Sequence, residues 1–316
     1  MVDMSPQELD LHRHSLMGHC YRMLGSVVEA EDAVQETMLR AWRALATFDG
    51  RASLRTWLHR IATNTCLDLL GERTRRVRAF DEQPVGSVDD ELETRPRTHW
   101  LEPVPESQVV PSDADPAQQV MLRQSVRLAF VAALQYLPPR QRAALLLTEV
   151  LDFSSADVAT TLESSVASVN SALQRARATL AERSFEEALP NQSVEQQLVD
   201  RYVAAFEAYD TDAITTLLCE DTVMSMPPYT LWLRGPAAIR TWLLGRGSGC
   251  RGSRLIRTRA SGAPAFAQYR ARHEGGYHAW SLNVLELSAD HIARTTYFLD
   301  VETLFPKFGL PLDLRD

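Results

Sequence analysis

Apolar periodicity lapses between residues 81 and 116, and this gap decides how the chain can fold. The stretch is rich in Pro, Asp, Glu and Ser and holds 10 acidic against 2 basic residues. Such a segment buries too little apolar surface to offset its conformational entropy. A linker is expected there, with separately folded parts on either side. A chain of 316 residues has room for two or three such parts.

Residues 5–79 read as helices. Ser5-Pro6-Gln7-Glu8 combines a capping box with proline at the first helical position. Leu9, Leu16, Met17, Cys20, Tyr21 and Leu24 recur at helical spacing before Gly25-Ser26 breaks the pattern. A second helix is predicted from about Val28 to Leu45, with Ala30, Ala33, Val34, Met38, Ala41, Trp42 and Leu45 as its buried stripe. Asp32, Gln35, Glu36, Leu39, Arg40 and Arg43 lie on the opposite face. After a loop at 48–52, a third helix turns Leu54, Trp57, Leu58, Ile61, Ala62 and Leu69 inward and ends in Arg73, Arg75, Arg76 and Arg78.

Helices resume at Asp115-Pro116. Pro138-Pro139 opens one through Val150, and Ser154 to Asp157 forms a capping box before a short helix. A turn at Glu163-Ser164-Ser165 leads into a longer helix from Val166 to about Arg183. From 194 the texture changes. Helices at about 194–209 and 212–219 precede short alternating segments, a helix from Gly235-Pro236 to Leu244, and strand-like runs at about 254–260, 265–273, 277–287 and 292–299. Helices first and an antiparallel sheet afterwards predict an α+β domain.

The net charge of −8 comes almost wholly from the linker stretch: 1–80 has 11 basic and 10 acidic residues, 117–188 has 7 and 7, and 189–316 has 13 and 14. No segment is basic enough to hold duplex DNA by counterion release alone. No apolar run reaches the roughly 20 residues of a membrane span, and no secretory signal is visible. Cys20, Cys66, Cys219 and Cys250 are scattered without metal-ligand spacing, which predicts reduced thiols in a cytoplasmic protein with no metal or cofactor.

Asp32-Ala33-Val34-Gln35-Glu36, Arg40-Ala41-Trp42, the loop from Phe48 and the run Leu54-Arg55-Thr56-Trp57-Leu58 through Asn64 resemble region 2 of sigma-70-type factors. The resemblance covers about 10–79. It implies that Asp32, Gln35, Glu36, Leu39 and Arg40 bind the β′ subunit of core RNA polymerase. As residues alone, they equally make a solvated face held by pairs such as Glu36–Arg40. It further implies that Phe48, Asp49, Arg51 and Ser53 pocket a flipped −10 base and that Asn64 meets the upstream edge of that element. Arg73, Arg75 and Arg76 are expected at phosphates. For Trp57 the apolar stripe favours core packing over direct stacking on DNA.

Leu137-Pro138-Pro139-Arg140-Gln141-Arg142, Ser155-Ala156-Asp157-Val158-Ala159 and Val166 to Arg177 resemble region 4, a helix-turn-helix that reads the −35 element. The N-terminal residues of a recognition helix meet base edges. Ser165, Ser168, Asn170, Ser171 and Gln174 are the candidates, with Arg175 and Arg177 for phosphates or guanines. Asn170 and Ala172 stand where the family pattern is more often basic. The acidic stretch has two readings, a solvated tether or a mimic of RNA phosphates in a polymerase channel.

The last 120 or so residues resemble the SnoaL-like branch of the NTF2 fold through Leu217 to Pro228, Trp232-Leu233-x-Gly235 and Ala263-Pro264-Ala265-Phe266. Met226, Trp232 and Trp280 are candidate lining residues of a small-molecule pocket, with Met224 and Trp242 beside them; as apolar residues alone, all five equally fill the cone as its core. Asp221, Tyr269, His278 and Asp300 are the polar groups such a cone offers, and no catalysis is assigned to them.

The expectation is a multidomain protein: 1–80 as all-α sigma region 2, 81–116 as linker, 117–188 as the all-α helix-turn-helix of region 4, and 189–316 as a cone-shaped α+β regulatory domain. Its partners are core polymerase (β′ and β), promoter DNA and a small-molecule ligand of the cone, with no membrane. A one-component regulator sensing a small molecule, or a cyclase or isomerase fused to a DNA-binding module, is the alternative. Only a sigma factor needs the Asp32–Arg40 face.

Overall fold

The computed structural model describes residues 6–71, 75–111, 114–182 and 191–315, with the side chains of Pro6, Gln7 and Thr47 left out. Two compact units emerge, each built from two separated stretches: Met1–Arg76 with Leu101–Phe185, and Val77–Trp100 with Glu186–Asp316. The linker is thus shared between two folded bodies.

The first unit is helical: α1 (Pro6–Asp10), α2 (Arg13–Leu24), α3 (Val27–Ala44) and α4 (Leu54–Leu70) come first. The next helix, α5 (Ala79–Glu82), belongs to the second unit. The first resumes with α6 (Glu106–Val109), α7 (Pro116–Ser125), α8 (Leu128–Gln135), α9 (Pro139–Leu145), α10 (Ser155–Thr161) and α11 (Val166–Ala181). A single π-helical turn, Leu146–Val150, extends α9. Caps start these helices: Ser26, Ser53, Asp115, Ser154 and Ser165 each accept a backbone N–H of their own first turn. Such a cap stabilises a helix by about 1 kcal/mol. The proposed box at Ser5 lies outside the described residues.

Leu16, Cys20 and Met23 of α2, Ala30, Ala33 and Val34 of α3, and Leu58, Ala62 and Cys66 of α4 are buried together. Trp42 is not: it is 61% exposed, because at 100° per residue the buried phase of α3 runs through Val34, Thr37 and Ala41. Two buried arginines join the early and late helices. Arg22 donates to Ser125 Oγ at 3.0 Å, and Arg142 donates to Gln135 Oε1 at 2.7 Å and to the Met23 carbonyl. Burial pulls both guanidinium groups down to about 10, so both stay charged at neutral pH.

Residues 101–110 pack on α2 and α3. Tyr21 donates to the Glu102 carbonyl at 2.9 Å, and the Glu102 amide donates to Gly25 O at 3.0 Å. Gly25 has φ 70°, and a Cβ there would come within 2.7 Å of Leu101 Cδ2, so this position admits only glycine without a shift.

The second unit contains α12 (Gln192–Glu207), α13 (Thr211–Thr216), β1 (Leu218–Ser225), β2 (Trp232–Arg234) and α14 (Pro236–Leu244). There follow β3 (Arg254–Ala260), β4 (Ala263–Ala271), β5 (Tyr277–Ser288), β6 (His291–Phe298), α15 (Val301–Lys307) and β7 (Asp313–Leu314). The sheet order is β2-β1-β6-β5-β4-β3, with β7 on β5, and only the β1–β6 pair is parallel. Leu198, Tyr202, Phe206 and Trp242 from the helices form one core with Phe266, Leu285 and Ile292 from the strands.

Residues 77–100 are held on this unit and are not a free tether. Trp232 Nε1 donates to Gln83 O at 2.9 Å, the Gly86 amide to Trp232 O at 3.0 Å, and the Arg95 amide to Pro228 O at 2.9 Å. Val77, Ala79 and Trp100 bury against Val223 and Trp232. The segment has no periodicity because it builds no core of its own. A few spaced anchors bury instead against the face of the sheet opposite its core, where a side chain such as Val77 is worth about 1.5–3 kcal/mol when fully buried.

Candidate functional site

On α3, Asp32 and Gln35 are exposed and Leu39 is 52% exposed. Arg40 donates to Glu36 at 2.7 Å and to Asp68 of α4 at 3.2 Å. The five residues share one face, and Trp42, three residues beyond Leu39, extends it. Exposed Leu and Trp side by side form an apolar centre with a charged rim, as interfaces do. Gln35 also borders a cleft of about 270 Å³ with Arg13, His14 and Ser107.

The loop before α4 holds Phe48 against Trp57, with ring centroids 5.0 Å apart, and Asp49 pairs with Arg51 at 2.5 Å. The Arg51 amide, and then its guanidinium, hold the Asp49 carboxyl below the usual carboxylate range. Ser53 spends its hydroxyl on the Thr56 amide at 3.0 Å, which fixes the start of α4. Asn64 is partly exposed on α4.

The arginines that follow depart from expectation. The helix stops at Leu70, so they do not extend it. Arg76 is only 5% exposed and pairs with Glu29 at 2.9 Å and Glu102 at 4.0 Å. Arg75 stacks on Tyr136 at 3.9 Å. Both are committed inside the unit, where the nearby carboxylates and ring compete with any phosphate. Arg73 lies outside the described residues.

On α11, Val169, Leu173, Ala176 and Leu180 face inward. That phase leaves Ser165, Ser168, Asn170, Ser171, Gln174, Arg175 and Arg177 exposed together. Arg177 Nε donates to Glu149 at 3.1 Å. Ser171 donates back to the Ala167 carbonyl at 3.0 Å, and Ser165 caps the helix, so their hydroxyls are partly occupied.

In the second unit a cavity of about 310 Å³ opens between α14, β1, β4, β5 and β6. Met226 and Trp280 line it, with Met224, Trp242, Tyr297, Cys250 and Arg270. Trp232 does not. Its ring faces the cluster with Val77 and Trp100, because β2 turns it to the other side of the sheet from Leu233. Asp221, Tyr269, His278 and Asp300 are also absent from the lining. Tyr269 donates to Pro311 O at 2.8 Å, and Asp300 caps α15. Arg270 was legible as an inward residue from its period-two relation to Phe266 and Gln268. Leu92 and Arg246, which also reach the cavity, gave no such signal.

Three family matches tile the chain: Sigma-70 region 2 over residues 9–76, Sigma-70, region 4 over 127–180, and the SnoaL-like domain over 199–295. The ECF RNA polymerase sigma factor SigG of Mycobacterium tuberculosis is 48% identical over 308 residues, spanning 95% of this chain and 82% of that protein. This chain belongs to the extracytoplasmic-function sigma factors. The RNA polymerase sigma-H factor of Pseudomonas aeruginosa is 31% identical to this sigma factor over 166 residues, 52% of this chain and 78% of that one. The crystal structure of the sigma factor SigJ of Mycobacterium tuberculosis shares its fold, with TM-score 0.63 at 23% identity over 98% of this chain and 100% of that one. As a sigma factor it binds core polymerase and promoter DNA, and its relatives are transcription factors rather than enzymes. Among the described residues no helix is long and apolar enough to cross a membrane.

Proposed function

We propose that this sigma factor docks on β′ through the α3 face of Asp32, Gln35, Glu36, Leu39, Arg40 and Trp42. The loop of Phe48, Asp49 and Arg51, with Asn64, accepts unstacked −10 bases, while Ser53 holds the loop's end. The exposed face of α11 reads the −35 element. The protein acts in the cytoplasm, where the polymerase is. The C-terminal domain modulates initiation without turning over a substrate. The observation that carries this last reading is the fastening of residues 77–100, the link between regions 2 and 4, onto that domain by backbone hydrogen bonds. Of the acidic residues in that link, Asp81 pairs with Arg78 and Glu82 with His99. This favours a structural use of the charges over mimicry of RNA.

Run-off transcription with core polymerase tests the docking face. Glu36→Arg and Arg40→Glu should each weaken core binding and lower transcript yield while the fold persists, since exposed substitutions cost about 0.5 kcal/mol or less. Full activity in both variants would remove the assignment.

A further inference from the structure

Two arginines, Arg246 and Arg270, reach the cavity of the second unit, and most of the remaining wall is apolar. Arg270 lies across Trp280, its guanidinium carbon 3.2 Å from the ring centroid, and its Nη2 donates to Cys250 Sγ at 3.1 Å. Its Nε is buried and has no hydrogen-bond partner. No carboxylate pairs with it among the described residues, and no Asp, Glu or His lines the cavity. A buried donor without an acceptor is costly, more so when charged. An arginine placed flat by an aromatic ring is ordered in advance for a carboxylate.

A second donor borders the same space. The Tyr297 hydroxyl sits 3.3 Å from that of Tyr202, and burial with this neighbour pushes the Tyr297 phenol well up, so it stays a neutral donor. The rest of the wall includes Phe206, Met224, Met226 and Trp242. Arg246 is already turned onto the carbonyls of Asp90 and Asp89, so Arg270 is the cation left to meet an anion here, and its planar fork matches a carboxylate. The volume is at the small end of the range for ligand sites.

We infer that this cavity binds a small carboxylate with an apolar body, its carboxylate on Arg270 and Tyr297. The inference rests on the regulatory reading of this domain and supplies its signal. Part of the wall is the link itself. Leu92 lines the cavity, and Arg246 donates to the carbonyls of Asp90 at 2.5 Å and Asp89 at 3.2 Å. An occupant therefore touches the segment that joins regions 2 and 4.

The test is calorimetric titration of the full-length chain with phenylacetate and octanoate, each against its own amide. At least one carboxylate should bind about tenfold more tightly than its amide, and Arg270→Gln should abolish that preference. If that variant does not fold, the wild-type chain still decides the matter: the bound carboxylate should slow alkylation of Cys250 by iodoacetamide, with Cys219 as internal reference. Equal binding of acid and amide in both pairs, no binding up to millimolar concentration, a preference that survives Arg270→Gln, or no protection of Cys250 would each overturn the inference. The titration needs no polymerase. A chain that directs transcription yet shows no carboxylate preference loses this inference alone.

Discussion

His19 and His59 meet edge to face inside the first unit, 5.6 Å between ring centroids, and both are fully buried. His59 Nδ1 donates to the Arg55 carbonyl at 2.9 Å and its Nε2 accepts from Ser15. Burial holds the His59 imidazole at about 4, opposed by that carbonyl and aided by Arg55, His12 and Arg22. Burial, then His59 and Arg22, also lower His19 well below its ordinary value. Unfolding restores an imidazole near 6.5, so below that pH the unfolded chain binds more protons than the folded one. The stabilisation is complete above about 6.5 and is lost as pH falls toward about 4. From His59 alone the loss by pH 5 is about 2 kcal/mol. Urea unfolding of the full chain from pH 7.5 to 5 should show the midpoint falling, and His59→Gln should flatten the curve. A wild-type midpoint unchanged across this range would contradict the burial of the pair.

At the scale of the element, the segment around Gly86 is the most sensitive. A Cβ at Gly86 would collide with Leu231 Cδ1, and the Gly86 amide bonds Trp232 O at 3.0 Å. Gly86→Val should detach residues 83–94 from β2, with a loss of about 1–3 kcal/mol typical of overpacking. Hydrogen exchange should speed up at Gly86 and Thr230 while α2 and α4 remain protected. Exchange at wild-type rates would show that the segment is held elsewhere. The helices and strands were largely legible in advance, because capping residues and a period of 3.6 or 2 are local signals. The fate of 81–116 was not. Trp100 and Val77 are isolated apolar residues whose partners, Val223 and Trp232, lie more than a hundred positions away. The exposed face of α11 was readable from its phase, but the pairing of Arg76 with Glu102 was not, since nothing local marks which arginine turns inward. The thiols of Cys20 and Cys66 likewise meet only in three dimensions, where their hydrogen bond, and then burial, push Cys66 up.

For the whole molecule, the chain passes from the first unit to the second, back to the first, and out again. Cutting after residue 188 therefore does more than remove a domain. It strips Val77, Ala79 and Trp100 of the surface that buries them. Such a shortened chain should retain core binding, gain rapid proteolysis within 77–100, and differ from the full chain in run-off transcription. Equal protease resistance and equal activity at every promoter tried would show that the fastening has no functional weight.

The same interlaced path sets an order of events during synthesis. Arg294 of β6 lies over the Phe80 ring, 5.6 Å from its centroid, so the partners of residues 77–100 are not all made until β6 has been translated, about 200 residues later. At bacterial elongation speeds that is a wait of roughly 10 to 40 seconds. The first unit has every residue it needs well before then, so each new molecule passes through an interval with its link unfastened. A ribosome that stalls, or a message cut within the last third of the gene, would release the protein in that state. Control of this factor can therefore begin on the ribosome, before any ligand or partner is met.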